Sequence, residues 1–427
     1  MTDVVIGVSI AIALFAIGVV LEARRRKREA PALVHATPPS LYPRINTDAC
    51  ICAGACVSVC PEGDVIAIVD GRPRVVRSSA CVGHGDCVRS CPVSAIELVL
   101  GSPQRAIEVP VAGPTLETTV RGLYVAGEVN GVGLIHSAVA QGREVARAAL
   151  ASRGPNGCDL DVLIVGAGPA GIGAALEARE AGARYAVFEK AGFGGAIRSY
   201  PRAKIVMTAP LDLPGIGQIK LRRTSKEALL DLFDDVVRRA GIPIVEHAEV
   251  TNIQPITSGF RVETRQGIAT AHRVILAIGR RGTPRRLGVS GDHLPHVVYD
   301  VADPAVHAGK RVVVVGGGDS AAEVAIALAA QPGTHVTIVH RGPDFGRCKP
   351  DNQAALSSTR IDVQLQATVR SVAPGAVELS TAGRLRTIPA SLVVCCLGAE
   401  LPGPWLRALG IGLREARGEP IALRRRS

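Results

Sequence analysis

Seven of the eleven cysteines in this 427-residue chain fall between positions 50 and 91, in two runs that each end in Cys-Pro. The first run is Cys50-Ile-Cys52-Ala-Gly-Ala-Cys56-Val-Ser-Val-Cys60-Pro61, and the second is Cys81-Val-Gly-His84-Gly-Asp-Cys87-Val-Arg-Ser-Cys91-Pro92. The spacing follows C-x2-C-x2-C-x3-C-P, a pattern that holds iron–sulfur clusters, with the fourth cysteine of each run ligating the other run's cluster. Soft thiolates suit such clusters. Zinc is the rival ligand, but tandem runs closing on x3-Cys-Pro match zinc spacings poorly. The chemistry expected is therefore single-electron transfer.

Both runs depart from the pattern at its second position, where His84 stands in one and Ala53 in the other, with Cys52 one residue early. Crossed ligation assigns Cys60, Cys81, His84 and Cys87 to one cluster. Cys50, Cys56 and Cys91, with or without Cys52, take the other. Imidazole in place of thiolate removes negative charge and should raise the reduction potential, as in Rieske centres. His84 is either that ligand or a loop histidine beside a three-iron cluster. The Cys50 site likewise admits a 4Fe-4S or a 3Fe-4S cluster.

The rest of the chain must position these groups. Hydrophobic residues make up 47% and glycines number 47, which fits compact α/β units and excludes a disordered chain. Cysteines in metal-binding runs point to a reducing compartment. Aromatics at 3% give little material for stacking single-stranded nucleic acid. The net charge of +11 is concentrated partly in Arg24–Arg28 and Arg424–Arg426, and neither cluster requires a nucleic-acid partner. The uncharged stretch Val4–Leu21 is just long enough for a membrane span. The basic run after it places the downstream chain in the cytoplasm by the positive-inside rule. The expectation is a single-pass anchor in the inner (cytoplasmic) membrane, at residues 1–22, followed by a basic, proline-rich linker at 23–44.

Two glycine-rich turns come later. Asp161-Val-Leu-Ile-Val-Gly166-Ala-Gly168-Pro-Ala-Gly171 opens a βαβ unit whose second strand ends at Glu189, placed to accept hydrogen bonds from a ribose. Lys310-Arg-Val-Val-Val-Val-Gly316-Gly-Gly318-Asp opens another, whose second strand ends in His340-Arg341. A basic residue there suits a 2′-phosphate, which favours NADP(H) and leaves NAD(H) open. Arg347 and Lys349 could assist; Arg341 could equally be a solvated strand end.

Residues 159–410 resemble the two-dinucleotide-binding-domain flavoproteins of the thioredoxin-reductase-like branch. The matching pieces are the Gly166 turn, Glu189, Gly194-Gly195, Ala277-Ile-Gly279 through Pro284, and Gly316-Gly-Gly318-Asp319-Ser320-Ala321. The front module resembles a bacterial-type two-cluster ferredoxin. The resemblance implies FAD on the first unit and a nicotinamide nucleotide on the second. The superfamily's closing motif is missing after Gly398. Its likeness stands upstream as Thr118-Thr-Val-Arg-Gly-Leu-Tyr-Val-Ala-Gly127-Glu128, a circular permutation in which Glu128 would contact the flavin ribityl chain. A generic strand-turn-helix is the plainer alternative. The dithiol of thioredoxin reductases has no counterpart in Val297–Pro304, and adjacent Cys395-Cys396 read as strand residues on opposite faces.

The fold expected is α/β, with two Rossmann-like domains for FAD and NAD(P), a small ferredoxin-like iron–sulfur domain and an N-terminal transmembrane helix. The boundaries expected are 45–100 for the iron–sulfur domain, 101–157 for the permuted closing segment, 158–291 for the FAD domain, and 292–427 for the nicotinamide domain and C-terminal segment. The function expected is a membrane-anchored oxidoreductase passing electrons between NAD(P)H, FAD and two clusters. Its acceptor would be a redox partner protein or a quinone-side acceptor, and the chain could pair with a second copy. The alternatives are a flavin-dependent reductase of small disulfides and a non-catalytic electron relay.

Overall fold

The computed structural model describes residues 41–420 apart from 103–105, 152–156, 203, 208, 222, 281–283 and 347. The apolar run Val4–Leu21, its arginines, Arg347 and Arg424–Arg426 lie outside the described residues. Among the described residues no helix is long and apolar enough to cross a membrane.

The first nucleotide unit is built on a seven-stranded sheet. The strand Leu160–Val165 lies at its centre, parallel to Tyr185–Phe188 on one side and to Gly267–Leu276 on the other. Its residues Val162 to Val165 are all buried, as a strand covered on both faces requires. The helix Pro169–Glu180 follows the glycine turn with proline at its start, where no N–H is needed.

The upstream segment completes this sheet. Leu123–Val125 pairs in parallel with Val274, Ile275 and Leu276. The helix Ile135–Leu150 then packs along Pro169–Glu180. Their approach is so close that a Cβ on Gly142 would run into the backbone of Ala170. The chain therefore closes its FAD unit with a segment placed before that unit in sequence.

The second nucleotide unit has a five-stranded parallel sheet in the order Val297–Val298, Leu392–Cys395, Arg311–Val315, His335–Val339, Ile361–Gln364. Cys395 and Cys396 face different cores, so they do not form a pair across one face. Burial pushes the Cys395 thiol up to about 12.

Two boundaries differ from the sequence reading. Leu41–Ile45, whose residues 41–44 the sequence reading places in the linker, is a strand paired antiparallel with Ile96–Leu100. Leu41 and Pro43 are buried on alternate positions, which draws the residues into the iron–sulfur domain. The C-terminal segment does not stay with the nicotinamide domain. Leu401, Leu406 and Ile411 are buried in the core of the FAD unit. Leu413–Ala416 pairs with Ile107–Pro110, and Glu419–Pro420 pairs with Leu100 and Val99. Residues 413–420 thus return to the seam where the permuted segment begins.

Candidate redox site

Each cysteine run forms a loop followed by one helical turn, Ala55–Ser58 in the first and Asp86–Arg89 in the second. Gly54 and Gly85, both left-handed, start those turns. The loops face each other over a core of Cys56, Val65, Ile66, Ala80, Cys81 and Ile96, with Cys60, Cys87 and Cys91 packed against it. A core this small, with cysteines forming part of it, is typical of modules that rely on a metal group for stability.

The thiols sort into two neighbourhoods. Burial pushes Cys81 up to about 11, with Cys60 and Glu62 adding to the effect. Burial pushes Cys87 up to about 12, and Cys81 and Cys60 push it the same way. Cys56 is raised first by burial and then by Cys50 and Cys91. Cys60 of the first run is therefore a neighbour of Cys81 and Cys87 in the second, and Cys91 of the second is a neighbour of Cys56 in the first. Cys60, Cys81, His84 and Cys87 line one pocket of about 340 Å³, counted to its open mouth, beside Glu62. Burial holds the His84 imidazole below its usual range against the opposing pull of Glu62 and Asp86. The neutral ring is the form that ligates metal. Cys52 stands apart from the others: it is exposed, its φ is 57°, and its N–H donates to Cys50 Sγ at 3.4 Å.

Among the described residues no three His, Cys, Asp or Glu close on a single metal-ion position. Cys60, Cys81 and Cys87 line a space instead, as a multi-iron cluster needs when each thiolate takes a different iron.

In the first nucleotide unit Gly166 has φ 105°, and a Cβ there would lie 2.6 Å from the carbonyl oxygen of Ala277. Only glycine takes that conformation with the neighbouring strand so near. Gly195 approaches Gly168 backbone to backbone, and Gly171 sits where its helix crosses the Gly166 carbonyl. Glu189 is 7% exposed, and its carboxylate accepts from the N–H of Ala167 at 2.8 Å and of Ala191 at 3.0 Å. Glu128 follows Gly127 in a short helical turn, with the Gly127 N–H donated to Gln141 Oε1 at 2.6 Å. The Glu128 carboxylate lies against Gly279, the strand-end glycine of the linking motif. The permuted acid and that motif thus share one place.

Arg280 was not singled out by the sequence. Its Nε donates to Glu128 O at 3.0 Å and its Nη2 to Glu108 O, so it ties the linking motif to the permuted segment. Burial lowers its pKa, partly offset by Glu128 and Glu108. Its place beside Gly279 is the one signal available in sequence.

In the second unit Gly316 and Gly318 flank the turn, and the helix Asp319–Ala329 begins after it. The His340 ring lies over Gly317 and stacks on Phe345 at 5.5 Å between centroids, while Arg341 is exposed. The basic pair therefore splits: the histidine covers the turn and the arginine is left for solvent or ligand. Asp319 Oδ1 accepts from Lys349 N and Asn352 Nδ2, each at 2.7 Å, which fixes the following loop.

Side-chain contacts help to join the units. Lys204 Nζ meets Glu323 Oε2 at 2.6 Å between the two nucleotide units. Lys349 Nζ meets Glu62 Oε2 at 3.5 Å between nicotinamide unit and iron–sulfur domain. Leu100 packs over Gly131, three residues beyond Glu128.

A family model described as pyridine nucleotide-disulphide oxidoreductase matches residues 163–402, and one described as a 4Fe-4S dicluster domain matches residues 42–92. A ferredoxin--NADP reductase of Ignicoccus hospitalis is 30% identical over 262 residues, covering 60% of this chain and 82% of its own. The bacilliredoxin reductase Bdr of Bacillus subtilis is 25% identical over 270 residues, covering 61% of this chain and 83% of its own. The crystal structure of T. acidophilum thioredoxin reductase superposes with a TM-score of 0.50 at 27% identity, covering 60% of this chain and 82% of its own.

Proposed function

Because this chain belongs to the pyridine nucleotide-disulphide oxidoreductase family and carries a 4Fe-4S dicluster domain in front, we propose that it oxidises NADPH and delivers the electrons singly to a partner protein or quinone-side acceptor. It is a flavin oxidoreductase of the ferredoxin- and thioredoxin-reductase-like kind. When bound, FAD supplies the exchange between hydride pairs and single electrons, and iron–sulfur clusters carry the single electrons. The observation that carries the reading is the seating of the iron–sulfur domain on the flavin unit, where Leu100 covers Gly131 next to Glu128. The likeness to a ferredoxin--NADP reductase supports it.

The residues divide the work of binding. The Gly166 turn and the start of helix Pro169–Glu180 receive a pyrophosphate on free backbone N–H groups. Glu189 would accept from the adenosine ribose, and Glu128 from the ribityl hydroxyls. Gly316 and Gly318 would receive the nicotinamide nucleotide, with exposed Arg341 offering charge to a 2′-phosphate. Cys60, Cys81, His84 and Cys87 would hold one cluster, and Cys50, Cys56 and Cys91, with Cys52 at hand, the other. Val4–Leu21 would anchor the chain in the cytoplasmic membrane, with Arg24–Arg28 on the cytoplasmic side.

Anaerobic purification followed by flavin, iron and sulfide quantification tests the composition, and mixing with NADPH tests the activity. The reading requires bleaching of bound flavin by NADPH together with reduction of a one-electron acceptor. Turnover of a small disulfide with no one-electron transfer would replace it with the disulfide-reductase alternative. A flavin that NADPH leaves oxidised would point to the relay.

A further inference from the structure

We infer that the two cysteine sets hold fixed and different places in the electron path: the Cys60, Cys81, His84 and Cys87 set is the inner station, and the Cys50, Cys56 and Cys91 set is the exit. The inference rests on the reading above and gives it a direction through the iron–sulfur domain.

Contacts from the inner set lead to both nucleotide units. Cys81 is 8% exposed. Two residues on, Gly83 lies so close to Leu41 that a Cβ there would sit 2.7 Å from the leucine Cβ. Leu41 is the register partner of Leu100, and Leu100 covers Gly131 beside the flavin's Glu128. On its other side, Glu62 follows Cys60 by two residues and reaches Lys349 of the nicotinamide unit at 3.5 Å. Its second carboxylate oxygen, Oε1, is buried with no hydrogen-bond partner.

The outer set is open to solvent along its first loop. Ile51, between Cys50 and Cys52, is 64% exposed, and Cys52 itself is exposed. Val93, just after Cys91-Pro92, is exposed too, while Cys56 is buried at 7%. An electron reaching this set is near solvent, whereas one on the inner set is screened by strand Leu41–Ile45 and the reductase surface.

The balance is simple. NADPH gives up a hydride and becomes NADP+. The two electrons leave one at a time through the inner and then the outer set, reducing two molecules of a one-electron acceptor protein, and one proton is released to solvent.

Two variants separate the stations in full-length, anaerobically prepared protein read by freeze-quench EPR. Cys56→Ser removes an outer ligand and should leave the NADPH-driven signal of the inner cluster intact. Cys87→Ser removes an inner ligand and should abolish NADPH-driven reduction of the outer cluster, which dithionite still reduces. Outer-cluster reduction by NADPH at wild-type speed in Cys87→Ser overturns the order. If either variant loses both clusters, the wild type answers with a soluble chromium(III) complex as relaxation agent. The outer signal must then broaden at lower concentration than the signal whose shape His84→Cys alters; equal or reversed broadening overturns the assignment. Bleached flavin with neither cluster signal in the wild type refutes electron sharing itself rather than its order.

Discussion

His84 places a neutral imidazole where the run pattern calls for a thiolate, in the pocket with Cys60, Cys81 and Cys87. Replacing it with the pattern's own residue, His84→Cys, should lower that cluster's midpoint potential by on the order of 100 mV or more, judged from the difference between Rieske and all-cysteine centres. An EPR-monitored redox titration reads this directly; an unchanged potential with unchanged line shape would make His84 a bystander. Arg341 carries a second prediction. Charge-assisted hydrogen bonds contribute about 1.5–3 kcal/mol, so Arg341→Ala should raise KM for NADPH by about tenfold or more and leave NADH little changed. Equal effects on both nucleotides would remove the NADP preference. At this scale the sequence shows residue types and spacings well. It could not show that the His340 ring folds back over Gly317 or that Arg280 reaches Glu128, because both are tertiary contacts.

Among the elements, the strand Leu123–Val125 and helix Ile135–Leu150 were readable in advance because their glycines and alanines match a motif usually found at the other end of such chains. The pairing with Gly267–Leu276 and the close crossing at Gly142 give that motif its physical meaning. Gly142→Val inserts a branched side chain into the Ala170 backbone, and overpacking of this kind costs about 1–3 kcal/mol. The variant should melt earlier and lose flavin on gel filtration; full flavin retention with an unchanged Tm would mean the helices do not pack this way. At the head of the central strand, the hydrogen bond from Arg184 at 2.7 Å holds the Asp161 carboxyl below its usual range. A depressed carboxylate stabilises the fold above its unfolded pKa of about 3.9 and loses that contribution as pH falls through the lower folded value. Asp161→Asn should therefore be less stable than wild type at neutral pH, with the gap closing below about pH 4. Thermal melts at pH 7 and pH 3 check it, and a gap that persists at low pH would exclude the ionised carboxylate as the cause. The return of Leu413–Ala416 to Ile107–Pro110 had no such signature, since two short strands on either side of the chain reveal their register only in space.

Across the whole molecule, three modules meet at one place. Strand Ile96–Leu100 of the iron–sulfur domain lies against the closing turn of the flavin unit, Glu62 reaches the nicotinamide unit through Lys349, and the C-terminal Glu419–Pro420 pairs with the same strand. The permutation is what brings this about, because it puts the iron–sulfur domain immediately before the segment that closes the flavin unit. The central claim is that cofactors held by these modules exchange electrons within one polypeptide. The most direct measurement is an anaerobic NADPH titration of the full chain, followed at once by visible absorbance and low-temperature EPR. The account predicts that flavin bleaching is accompanied by an iron–sulfur EPR signal. Bleached flavin alongside clusters that only dithionite can reduce would contradict it.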